Sequence, residues 1–189
     1  MSSTIQEPPH RHAYSVDDYY RMAETGILRS GDRVELIKGE IIDMAPIGSR
    51  HAAAVNRISQ ALHRVVADQA IVATQNPVRL DRYSEPQPDI ALLRPREDYY
   101  ASALPGGVDV LLVIEVAGST LDYDRNTKLP LYAQHGIPEV WLVDLENRQF
   151  SIYRDPLSGS YANTQLLALL QHIRVPGLED IAIDLSGLW

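Results

Sequence analysis

The sequence predicts an α/β sandwich: a mixed sheet flanked by helices, in a single domain. Three observations predict it. Val110–Val116 and Val140–Val143 are near-continuous apolar runs, as expected of strands covered on both faces. Between them, Asp124 to His135 reads as a helix closed by Gly136 with Pro138 beyond it, so the three segments form a β-α-β unit with a parallel strand pair. From Ser49 to about Asp68, Val55, Ile58, Leu62, Val65 and Val66 recur at helical spacing and form an apolar stripe.

The remaining elements follow in chain order. Residues 1–13, with Pro8-Pro9 and no apolar core, predict a disordered tail, and the folded domain spans 14–189. Ser15, followed by Asp17 and Asp18, caps a helix running to about Thr25, where Gly26 closes it. Val34–Ile37 and Glu40–Met44 flank Lys38-Gly39, a hairpin signature with glycine where φ must be positive. Ile71–Leu80 and Asp89–Leu93 are β-rich. Glu139–Asp144 is a further buried strand, and Gln149–Arg154, Ala162–Leu170 and the segment around Ile181 are weaker strand candidates.

Composition narrows the function. The chain of 189 residues is 45% apolar and 22% charged, which suits a packed globular domain. No stretch approaches the roughly 18 apolar residues that span a bilayer. There is no cysteine, so disulfides and thiolate metal sites are excluded, and the cytoplasm is the expected location. The net charge of −8 argues against a partner held by broad electrostatic attraction to phosphates. Local basic features can still meet phosphate, and Arg50, Arg57 and Arg64 recur every seven residues as one candidate stripe, with a solvated helix face as the alternative.

Two carboxylates break otherwise apolar strands. Asp89 follows Pro88 at the head of Ile90-Ala91-Leu92-Leu93, and Glu115 sits within Val110–Val116. Burying a carboxylate is costly unless something neutralises it. Two of them on adjacent strands point to oxygen ligands converging on a hard divalent cation. By itself Asp89 could equally begin a strand or cap a turn. Lys128 could pair with Asp124 at i, i+4 on a helix surface, and Glu35 could be an exposed hairpin charge. At about 100° per residue, His51 lies on the apolar stripe of its helix and faces the sheet, as a structural histidine or as part of a site.

A longer constellation joins these residues. Glu35-Leu36-Ile37-Lys38-Gly39-Glu40, His51, Gln87-Pro88-Asp89, Ile114-Glu115-Val116, the run Asp124 to Ala133 and the run Gly136 to Asp144 follow one another in order. Together they resemble the bacterial Uma-two family of restriction endonuclease-like proteins, whose fold belongs to the PD-(D/E)XK nuclease superfamily. The resemblance extends from about Tyr14 to Trp189. It implies a restriction-endonuclease-like mixed sheet and Mg²⁺ or Mn²⁺ held by Asp89 and Glu115, with a further carboxylate from Glu35. It also implies phosphodiester hydrolysis on DNA by a homodimer. The superfamily lysine would fall at position 117, which is Ala117 here; the resemblance supplies Lys128 from the following helix instead. Gly118-Ser119-Thr120 also departs from the Ser-Pro-Ser-Thr-like turn associated with the family. On this reading His51 borders the metal site.

Two functions stand at this point. One is a metal-dependent endonuclease with Asp89, Glu115, Lys128, Glu35 and His51 at its centre. The other is a catalytically silent protein of the same fold that binds nucleic acid or a protein partner. The acidic charge favours the second, and the presence of Asp89, Glu115 and Lys128 together favours the first.

Overall fold

The computed structural model describes residues 11–189, so most of the expected N-terminal tail lies outside the described residues. Arg11 to Ala13 have no regular structure, yet Arg11 pairs with Glu40 at 3.0 Å and the Tyr14 amide donates to the Gly39 carbonyl at 2.9 Å. Helix α1 (Val16–Glu24) starts on a capping box in which Ser15 and Asp18 satisfy each other's backbone amides. Strands β1 (Val34–Ile37) and β2 (Glu40–Asp43) form a separate antiparallel hairpin. Lys38 and Gly39 both have positive φ, 51° and 78°, as a two-residue hairpin turn requires. A Cβ at Gly39 would come within 2.6 Å of the Ala13 Cβ, so the turn also needs glycine for space.

Helix α2 (Ser49–Val66) buries Val55, Ile58, Leu62 and Val66 of the stripe read from the sequence, together with Ala54, while Val65 is partly buried. Strands β3 (Ile71–Thr74), β4 (Ile90–Leu93) and β5 (Val110–Ala117) follow, then a helical segment, then β6 (Glu139–Asp144), β7 (Gln149–Leu157) and β8 (Ser160–Leu167). These six strands form one mixed sheet in sequential order, in which β5 and β6 are the parallel pair. A small hairpin of β9 (Ile173–Val175) and β10 (Leu178–Ile183) completes the described chain. Alternation along β5 decides what faces what. Leu112, Ile114 and Val116 join the core beneath α2, while Val113 and Ala117 join the core on the opposite face. Glu115 shares the parity of Val113 and Ala117, and is therefore aimed into that second layer.

Three elements differ from the sequence reading. The strand from Ile71 stops at Thr74 instead of continuing to Leu80, because Gln75 adopts φ 53° and Pro77 cannot donate to a ladder. The helix expected from Asp124 begins at Leu121 as α3 (Leu121–Tyr123), widens into a π turn over Asp124–Lys128 and continues as α4 (Leu129–Gln134). Pro130 accounts for the widening: it has no N–H, and in an α-helix its ring would collide with the Asn126 carbonyl. The Leu129 amide accordingly donates to Asp124 five residues back. Strand β9 was not anticipated, since three residues are too few for a period to register.

Candidate active site

Asp89 lies one residue before β4, and β4 pairs with β5 so that Ile90 faces Ile114. Continuing that register by one residue sets Asp89 directly opposite Glu115. The Asp89 amide is 3.4 Å from Glu115 Oε2, and the Val116 amide donates to Asp89 Oδ2 at 2.9 Å. Both carboxylates are thus fixed by backbone at the end of two adjacent strands.

The π turn and α4 contribute the next groups. Lys128 is 5% exposed, and its Nζ donates to Glu115 Oε1 at 3.3 Å and lies 3.2 Å from Glu35 Oε2. Tyr132, one turn further on, donates its hydroxyl to Glu115 Oε1 at 2.6 Å. Asp124 is not within ion-pair distance of Lys128; its carboxylate accepts from Thr120 at 2.8 Å instead. From β1, Glu35 is buried, with Oε2 accepting from the Gln87 amide at 3.1 Å as well as facing Lys128. From α2, His51 Nε2 lies 3.0 Å from Asp89 Oδ2. The five residues singled out in the sequence therefore come together around one point.

They line an open cleft of about 840 Å³ between the β1–β2 hairpin with the Met44–Gly48 segment on one side and the end of β5 with the π turn on the other. Its rim is braced by two arginines. Arg33 donates to the Ala45 carbonyl at 2.9 Å, and Arg50 to the Leu145 carbonyl at 2.8 Å. Arg57 of the same helical stripe is used on the Gly187 carbonyl, away from the cleft.

Burial governs the electrostatics. It pushes the Glu115 carboxyl up to about 8, with the charges of Asp124 and Asp89 adding to the shift and Lys128 opposing it. Burial alone would lower Lys128, but the charges of Glu115, Glu35 and Asp124 outweigh it and hold the ammonium protonated. The two tendencies are consistent if Lys128 is balanced by Glu35 while Glu115 is slow to ionise. Burial also raises Asp124 against the pull of Lys128, and raises the Tyr132 hydroxyl well above its usual range. His51 is raised chiefly by its hydrogen bond to Asp89, with burial acting against it.

Whether these groups suit a divalent cation can be judged from their oxygens. Asp89 Oδ2 is occupied by Val116 and His51, whereas Oδ1 has only a 3.4 Å contact with the Gln75 amide. Glu115 Oε1 is occupied by Tyr132 and Lys128, whereas Oε2 has only the 3.4 Å contact to the Asp89 amide. Each carboxylate keeps one oxygen almost free, a donor set that fits a hard cation taking one or two carboxylates and several waters. Among the described residues no group of three His, Asp or Glu side chains is spaced to hold a metal ion. Glu35, which the resemblance implies as a further carboxylate, has its Oε2 beside Lys128 and accepting from the Gln87 amide.

A family model described as "Putative restriction endonuclease", Uma2, matches residues 16–186. The chain belongs to the Uma2 family. No protein of curated function matches it. Among solved structures, a protein of Anabaena variabilis described as "a putative nuclease belonging to DUF820" is 18% identical, covers 92% of this chain and 96% of its own, and superposes with a TM-score of 0.69. At that identity the likeness concerns the fold, which is the restriction-endonuclease-like mixed sheet expected for a Uma2 protein. Among the described residues no helix is long and apolar enough to cross a membrane.

Sequence reading missed Tyr123 and Asp124 of the cleft lining, and Gln75, whose side-chain amide reaches Asp89. Tyr123 and Gln75 gave no signal, because the π turn and the positive φ at Gln75 that place them have no periodic signature. Asp124 was visible only as a possible partner of Lys128; in the fold it is buried, 5% exposed, and accepts from Thr120.

Proposed function

We propose that this Uma2 chain is a metal-dependent phosphodiester hydrolase acting on DNA. The observation behind the proposal is the facing pair Asp89 and Glu115, each with one nearly free oxygen, beside the buried ammonium of Lys128. These two carboxylates would hold Mg²⁺ or Mn²⁺, which when bound supplies Lewis acidity towards a phosphate oxygen. Lys128, kept charged by Glu35, directs a fixed positive charge at the negative charge that grows on the phosphate oxygens. Glu35 serves as the anchor of Lys128 in this reading. Tyr132 orients the Glu115 carboxyl. His51, held by Asp89 through Nε2, presents Nδ1 as a position that can order a water or a phosphate oxygen.

One observation favours a second reading, that of a silent protein which binds without cutting. The cleft is lined by six carboxylates (Glu35, Asp43, Asp89, Glu115, Asp124 and Glu146) against three cations (Arg33, Arg50 and Lys128). That balance repels a polyanion until a cation neutralises part of it. A cleavage assay on single-stranded, double-stranded and branched DNA, with Mg²⁺, Mn²⁺ or EDTA, separates the two. The hydrolase cuts at least one substrate only with metal, and Asp89→Ala and Glu115→Ala abolish both the cutting and the thermal stabilisation by Mn²⁺. An Mn²⁺ response unchanged in both variants sinks the metal assignment.

A further inference from the structure

Among the described residues, two buried side-chain polar atoms lack any hydrogen-bond partner: His51 Nδ1 and the Tyr123 hydroxyl. Both belong to residues lining the same cleft. Buried polar groups are rarely left unpaired, because an unmade bond leaves the cost of removing the group from water uncompensated. Two orphans in one cavity therefore point to something that enters it. Tyr123 gives the sharper case, since its hydroxyl is a donor whose role does not depend on a tautomer.

Tyr123 ends α3 and precedes the π turn that presents Lys128. Its hydroxyl senses the charges of Glu35, Lys128, Asp124 and Glu115, which sets it among the groups of the site. Burial keeps it protonated, so it offers an O–H and not a phenolate. None of the carboxylates around it accepts from Tyr123: Glu115 Oε1 accepts from Tyr132 and Lys128, Asp124 Oδ2 from Thr120, and Glu35 Oε2 from Lys128 and the Gln87 amide.

We infer that the Tyr123 hydroxyl is a second donor, beside Lys128, for a non-bridging oxygen of the bound phosphodiester, and so a further catalytic residue of this site. The inference rests on the hydrolase reading. In that role a neutral donor adds to the fixed charge of Lys128 as negative charge grows on the phosphate. It also accounts for the unpaired hydroxyl: the cost falls on the free protein and is relieved when phosphate arrives.

The test is Tyr123→Phe, which removes one oxygen and keeps the ring. The expected result is a fall of about 10²-fold in kcat with little change in KM, the size of deleting one transition-state donor. The melting temperature should equal or exceed that of the wild type, because no partner is lost in the free protein. An unchanged rate overturns the inference. A lowered melting temperature overturns it too, since the hydroxyl would then hold a structural partner. If the wild type cuts no DNA, the hydrolase reading fails separately, and binding of 5′-fluorescein-labelled oligothymidylate decides the matter. Weakening by about fivefold in the variant, the worth of one hydrogen bond, sustains a phosphate-oxygen seat at Tyr123, and equal binding removes it.

Discussion

Replacing Glu115 with glutamine should stabilise this protein at alkaline pH while destroying its response to metal. Glu115 is 3% exposed, and burial pushes its carboxyl from an ordinary 4.5 up to about 8. A carboxyl raised in the fold contributes stability that is complete below the unfolded value and is lost as pH rises through the folded one. The wild type should thus lose stability between pH about 4.5 and about 8. Each tenfold displacement of the ionisation equilibrium corresponds to ~1.4 kcal/mol, so the loss amounts to a few kcal/mol. In a chain of this size that lowers the melting temperature by roughly 2–4 °C per kcal/mol. Glutamine keeps the side-chain length and an acceptor for Tyr132 but cannot ionise, so Glu115→Gln should be nearly level over the same window once other titrations are subtracted. The assay is thermal unfolding of both proteins from pH 4.5 to 9, in EDTA and in Mn²⁺. Mn²⁺ should restore the wild type at pH 8, because a ligand that binds only the folded, ionised site raises stability by mass action. It should leave the variant unmoved. A difference between wild type and variant that does not grow with pH in EDTA would refute burial as the dominant influence on Glu115.

Lys128→Met should lower the cleavage rate by about 10²–10³-fold while retaining Mn²⁺ binding. It should also cost about 3–5 kcal/mol at neutral pH, because Glu35 is left buried without its cation. Unfolding in urea at pH 7 checks this. Gly39→Ala should cost about 1–3 kcal/mol, since φ is 78° and the new Cβ meets Ala13 at 2.6 Å. The same urea measurement suffices, and a neutral result would mean that the Ala13 segment moves aside freely.

Much of this architecture was legible in the chain. The α2 stripe, the Lys38-Gly39 turn, the Ser15 cap and the β5-helix-β6 unit each arise from local chemistry: period, positive φ, a hydroxyl cap and apolar runs of strand length. Asp89 and Glu115 stood out for the same local reason, as charges in apolar strands. What the sequence alone could not decide was how they meet. The β4–β5 register that sets Asp89 opposite Glu115 is fixed by antiparallel pairing between segments distant in the chain. Lys128 offered two partners within sequence reach, and the π turn before Pro130 directed it away from Asp124 and into the sheet. Glu35 read equally as ligand or surface charge; closure of the hairpin over the sheet buried it against Lys128. Tyr123 was invisible, because an unpaired hydroxyl exists only once every neighbour has taken its place. Local sequence determines which groups are expensive to bury, and only the packed chain determines which of them share the cost.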